Sequence, residues 1–313
     1  MIQTSSILPY FKDQGWFVTL NTTERGFGII KNDPHIDEVF LQGNNQVANA
    51  ELSSYWEKLS KHFTKFVQLS ESIEGKLLAL PDRPQYRWSK KLRHQRMNKD
   101  YFKQMHDLSG AALPPRPKFY PTEMEKIQAK QVRDQAGCFL IMWVLSGSSV
   151  HKAWPYVDNV VAALLLNYPG VWIVFVGEEL CQLLEEPWKN EKRVIRKSGR
   201  WDIRNTLTLS QQVDMVIGPE TGVLNCVAYE DIPKIILLSH SSAKNFGAKF
   251  VNTTTIKPKG VSCYPCHKLH YRWRTCNRDE KTGAAMCQAN IRPDRVYQAI
   301  VEKIEKIGKR KAA

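Results

Sequence analysis

No apolar run in this chain is long enough to cross a bilayer. The longest, Cys138 to Leu145, is the length of a strand, far short of the roughly 20 residues a spanning helix needs. The first residues show no basic region followed by an apolar one, so no secretory signal is read there. Internal repeats and low-complexity segments are absent, which excludes solenoid arrays and disordered tracts. Acidic residues are scarce where basic ones gather: Asp100 is the one acid between Arg83 and Lys103, against eight lysines and arginines. The Gly-Lys-Ser/Thr order of a P-loop is also missing.

What remains is the composition of a globular protein, 42% hydrophobic and 24% charged over 313 residues, enough for two domains. The net charge of +14 favours a polyanionic partner: nucleic acid, phosphorylated lipid headgroups or an anionic membrane face. Three of the seven cysteines, Cys138, Cys181 and Cys226, sit in apolar context and read as reduced core residues of a cytosolic protein.

Residues 1–80 alternate helical pieces with strands expected at Trp16–Leu20, Asp37–Leu41 and Val67–Leu69, the rhythm of a parallel α/β sheet. Residues 82–106 read as helical, with Tyr86, Trp88, Tyr101 and Phe102 interleaved among the basic residues. A solvated helix face with aromatics in the core explains such a run; so does a surface for an anionic acceptor. Leu113-Pro114-Pro115-Arg116-Pro117 breaks any helix. A second α/β rhythm follows, with strands expected at Phe139–Leu145, Val171–Val176, Arg193–Ile195, Met215–Ile217 and Lys234–Leu238, and a C-terminal amphipathic helix. The division predicted falls at 120/121, with one domain over 1–120 and a second over 121–313, each built on a parallel α/β sheet.

Three strand ends in the second half carry chemistry. Leu145-Ser146-Gly147-Ser148-Ser149-Val150-His151-Lys152 runs from a strand into hydroxyl residues and a lysine, groups that suit phosphate oxygens. Val176-Gly177-Glu178-Glu179 puts carboxylates straight after a strand, where ribose hydroxyls are commonly bound. Val213 to Ile217 is a buried-strand pattern that stops at Gly218-Pro219-Glu220-Thr221-Gly222 and leads into a helix, whose start offers N–H groups to an anion. Turn chemistry and helix capping explain each of these singly.

In this order and spacing they resemble the heptosyltransferase-like enzymes of glycosyltransferase family nine, which have a GT-B fold of two facing Rossmann-like domains. Ser146 to Pro155, Glu179 and Gly218 to Gly222 match that family's three motifs. The resemblance implies that Lys152, with Ser146, Ser148 and Ser149, binds the donor diphosphate. It implies that Glu179 holds the ribose, that Thr221 and Gly222 hold phosphate, and that Glu220 contacts the sugar or diphosphate. Lys152 and Glu220 are then the catalytic candidates. An inverting displacement from a nucleotide-diphosphate sugar such as ADP-heptose follows, with a lipopolysaccharide core as acceptor and no need of a catalytic metal. A cytoplasmic enzyme touching the inner membrane face fits that acceptor. Two departures stand out. Glu220 occupies a position where the family has Asp. Met1 to Pro9 reads as the family's first helix, so the strand and Asp base that precede it are missing from the N-terminal domain, which predicts a start upstream. The basic stretch and the charge keep open a transferase acting on nucleic acid, and the missing base keeps open a non-catalytic binding relative.

Cys263-x2-Cys266-x9-Cys276-x10-Cys287 packs four thiols into a loop over 260–290. A structural zinc, two disulfides or loose thiols are all compatible with this spacing. His267 and His270 read as loop histidines, either able to replace a thiol.

Overall fold

The computed structural model describes the chain except residues 44–46, 49–50, 70–71, 82, 113–116, 148, 270–275 and 313. Ser148, His270 and the proline-rich break at 113–116 therefore lie outside the described residues. In the N-terminal half, β1 (Thr19–Thr23) pairs in parallel with β2 (Glu38–Gln42). β1 begins later than the apolar run suggests. The Val18 N–H is taken by the Asp37 carboxylate at 2.6 Å, so the ladder starts beyond it. Among the described residues no third strand joins this pair. Val67 to Leu69 instead line, together with all of β1, a cavity of about 710 Å³.

The second half builds a parallel sheet in the order β5-β4-β3-β6-β7-β8. Its strands are β3 (Phe139–Val144), β4 (Val171–Val176), β5 (Val194–Arg196), β6 (Met215–Gly218), β7 (Lys234–Leu237) and β8 (Thr253–Ile256). The five expected strands are present with ends shifted by a residue or so. β8 escapes notice because its Thr-Thr-Thr-Ile sequence is half-exposed at the sheet edge rather than apolar. Side-chain alternation splits the central strands between two cores. Leu140, Met142, Val144 and Val216 join Ile2, Ile7, Phe11, Met97 and Tyr101 from the N-terminal half. Ile141, Trp143, Phe175 and Ile217 join the helices Val157–Asn167 and Pro293–Ala312 on the other face.

Arg204, only 2% exposed, straps the halves together. Its guanidinium forks onto Glu125 at 2.5 and 2.8 Å and donates to the carbonyls of Ile29 and Tyr120 at 2.6 and 2.7 Å. Hydrogen bonding to Arg204, against the opposing effect of burial, holds the Glu125 carboxyl down to about 2.

The basic stretch forms a 3-10 turn (Pro84–Arg87) and two helices, Lys90–Met97 and Tyr101–Ser109. Its aromatics turn inward, with Tyr101 and Phe102 buried. Arg93 is buried as well, donating to the carbonyls of Lys76 (3.2 Å), His267 (3.3 Å) and Gln85. Arg87, Lys90, Lys91, Arg96, Lys99 and Lys103 remain exposed. Cys181 and Cys226 are core residues as expected, but Cys138 is exposed, because it sits in the turn before β3 rather than within the strand. Among the described residues no helix is long and apolar enough to cross a membrane.

Candidate functional site

The strand order reverses between β3 and β6: the chain leaves the centre through β4 and β5, then returns to the other side. In open α/β sheets the crevice at such a reversal, beyond the carboxyl ends of the strands, is where ligands bind. The segments following β3 and β6 meet there. Lys152, in the 3-10 turn Val150–Lys152, is 5% exposed and donates from Nζ to the Glu220 carbonyl at 2.8 Å. Gly147 makes room for that approach. A Cβ on it would lie 3.0 Å from Lys152 Cδ, 3.4 Å from Nζ and 3.2 Å from Thr221 Cγ2. Gly218 has a similar role one step earlier, its missing Cβ leaving space for Val144 of β3.

Burial lowers the Lys152 pKa, and Glu220 and Glu74 oppose that fall. The ammonium has three donors; the contact with the Glu220 carbonyl uses one. Thr221 is the N-cap of the helix Gly222–Cys226, yet its hydroxyl makes no capping bond. Thr221 Oγ1 is buried and has no hydrogen-bond partner among the described residues. No atom would lie within 4 Å of a Cβ on Gly222. The helix start therefore presents an unused hydroxyl and an uncrowded backbone beside a buried ammonium, the makings of an anion site.

Glu220 is differently employed. Its Oε1 accepts from Ser239 N (2.9 Å), Ser241 N (3.1 Å) and Ser241 Oγ (2.7 Å), and its Oε2 accepts from Ser239 Oγ (2.6 Å). His240 Nδ1 stands 3.7 Å away. Burial alone would raise this carboxyl; the charges of His240 and Lys152 and the two serine hydroxyls win, holding it well below the usual range, at about 2. The side chain braces the turn after β7, and its backbone carbonyl anchors Lys152. Ser239, His240 and Ser241 were not anticipated. Their signal is a polar Ser-His-Ser-Ser run directly after an apolar strand.

The remaining sequence candidates are dispersed. Glu179 starts the 3-10 turn Glu179–Cys181 one strand away, beyond β4, and is exposed. Gly199 packs against it, so closely that a Cβ there would lie 2.7 Å from Glu179 Cα. Ser146 Oγ donates within its own loop, to the carbonyls of Ser149 (3.2 Å) and Gly147 (3.3 Å). Ser149 Oγ pairs with His151 Nδ1.

Cys263, Cys266, Cys276 and Cys287 line one cavity of about 100 Å³, with His151 and His240. All are free thiols, so no disulfide is formed. The expected zinc site is not formed either: among the described residues no three His, Cys, Asp or Glu side chains are arranged to hold a metal ion. Cys266 Sγ turns to the Lys268 carbonyl and Cys276 Sγ to the Asn277 carbonyl, at 3.9 and 3.8 Å. Burial pushes these two thiols up, to about 12 and about 11. His267 is fully buried and pairs with His94 at 3.1 Å; burial lowers it to about 4.

No protein-family model matches the chain, and no curated protein matches it. Solved structures do. The chain is similar to E. coli ADP-heptose lps heptosyltransferase II, at 12% identity and a TM-score of 0.66, covering 98% of this chain and 96% of that one. It is similar to a glycosyl transferase family 9 protein from Veillonella parvula, at 14% identity and 0.65, covering 97% and 94%. It is also similar to the iron-containing dodecameric glycosyltransferase TibC of enterotoxigenic E. coli, at 11% identity and 0.58, covering 97% of this chain and 74% of that one. The fold is that of the GT-B heptosyltransferases.

Proposed function

We propose that this protein is a glycosyltransferase that uses a nucleotide-diphosphate sugar. The observation that carries the reading is the meeting of Lys152 with the Glu220 carbonyl and Thr221 at the sheet's reversal, within a heptosyltransferase fold. Lys152 and the Thr221 hydroxyl hold the diphosphate and stabilise its charge as it leaves. Glu179 binds the ribose, and Glu220 acts through the two elements it braces. Ser146 and Ser149 shape the loop that carries Lys152, and Ser148 is proposed as a diphosphate ligand beside them. An acceptor hydroxyl attacks the anomeric carbon from the opposite face, the bond to the diphosphate oxygen breaks, and configuration inverts. The acceptor hydroxyl gives up its proton to solvent as the new bond forms. ADP-heptose is the donor we propose and a lipopolysaccharide core the acceptor, reached by a cytoplasmic protein at the inner membrane face. The domain division at 120/121 is proposed with it. The four-cysteine loop is proposed as structural, its reduced thiols packed around one small cavity.

A thermal-shift screen of sugar nucleotides tests the reading. A donor at a hundred times its dissociation constant stabilises by about 2.7 kcal/mol. No shift with any ADP-, GDP- or UDP-sugar would refute it. Donor binding without hydrolysis or transfer would instead identify a non-catalytic relative.

A further inference from the structure

A second cavity, of about 700 Å³, opens on the basic helices. Lys76, Arg96, Lys99 and Lys244 line it, and among the described residues none of the four pairs with a carboxylate. Two further lysines line it with their acids: Lys103 pairs with Asp107 at 2.6 Å and Lys249 with Asp100 at 3.5 Å. The excess is four positive charges around a space of small-molecule size. An excess of this kind attracts an anion that carries several charges.

The walls are rigid. Asn245 Nδ2 donates to the carbonyls of Met97 and Lys99 at 2.6 and 2.8 Å, and Ser242 Oγ donates to Asn98 at 2.5 Å. Phe102 packs edge-on to Tyr229 and Phe250, with ring centroids 5.7 and 5.9 Å apart. The basic helices are thus bolted to residues 242–250, which follow directly on the Ser239–Ser241 turn that Glu220 holds. The aromatics argue against a nucleic-acid strand. Trp88 lines the cavity, but the Arg96 and Arg93 guanidinium groups lie over its ring, at 4.8 and 5.6 Å, and Tyr101 and Phe102 are buried. Among the described lining residues Trp88 is the one aromatic, and two guanidinium groups already engage it.

We propose that this cavity is a binding site for a compact small molecule carrying two or more phosphate groups. Lysines act as point charges on phosphate, and Arg96, fixed by Trp88, offers a planar fork. The site does not depend on the transfer reading, and its test separates the two. Full-length protein is titrated calorimetrically with fructose 1,6-bisphosphate, glucose 6-phosphate and ADP, and its sedimentation is measured with phosphatidylcholine vesicles with and without phosphatidylinositol 4,5-bisphosphate. The bisphosphate binds more tightly than the monophosphate, and the exposed double substitution K99E/K244E weakens it on the order of tenfold. That variant binds ADP as the parent does. Binding of the free sugar identifies a soluble ligand; binding only to the phosphoinositide vesicles identifies a lipid headgroup. No binding of either kind, equal affinity in the variant, or binding of a single-stranded oligonucleotide in place of the sugar overturns the proposal.

Discussion

Replacing Glu220 by alanine removes the acceptor for two backbone N–H groups and two serine hydroxyls at once. Ser239 and Ser241 are 1% and 0% exposed, so bulk water does not reach these donors in the parent. Lys152 and His240 also lose the opposite charge beside them. Hydrogen bonds to a charged group are worth about 1.5–3 kcal/mol each, and leaving a buried charge uncompensated costs about 3–5 kcal/mol. These effects overlap, so the expected loss for Glu220→Ala is about 4 kcal/mol. Glu220→Gln keeps an oxygen for both backbone N–H groups and can donate to Ser239 but still removes the charge, so it should lose about 3 kcal/mol. Urea unfolding followed by circular dichroism reads both as lower midpoints at unchanged slope. A pH series adds an independent check. The folded carboxyl lies below its unfolded value, so its contribution is complete above roughly pH 4.3 and is lost as pH falls toward 2. Glu220→Gln should flatten that part of the profile. An alanine variant within about 0.5 kcal/mol of the parent would show that the carboxylate braces nothing.

Thr221→Val should leave the free protein as stable as before, or up to about 1 kcal/mol more so, since it removes an unpartnered buried hydroxyl. The same change should weaken ADP binding by about tenfold, measured by calorimetry; equal affinity would exclude the hydroxyl from the phosphate site. Gly147→Ala should cost little stability but weaken ADP binding, because its Cβ pushes on Lys152 and Thr221. Arg204→Met should destabilise by about 3–5 kcal/mol, with a loss of cooperativity between the halves as the signature in denaturant. A change below about 1 kcal/mol would show that the strap is redundant.

Much of the second half could be read from residue order. Val171 to Val176 and Met215 to Ile217 are continuous apolar, β-branched runs, and burial on both faces is what such runs specify. Gly218-Pro219 and Gly147 likewise mark turns where backbone and side chains approach closely. Half-polar elements were less legible. β8 and β1 are threonine-rich strands whose position depends on a neighbour's ladder or on the Asp37 cap, neither of which leaves a local pattern.

The chemistry divides along the same line. Sequence alone determined which strand ends carry polar groups, because a buried parallel strand must stop before it can present them. It also singled out Lys152 and Thr221, which the fold brings beside one another at Gly147. Only the tertiary structure decided that Glu220 faces inward. Whether a carboxylate meets a ligand or a Ser-His-Ser turn depends on residues 239–241, brought beside it by the pairing of β6 with β7. The same holds for the basic stretch. Its charges were plain in the sequence, but burial of Arg93, inward-turned aromatics and the arrival of Lys244 and Lys249 from the other half are long-range events. Local spacing fixes which face a residue lies on; what stands opposite that face is set by the fold.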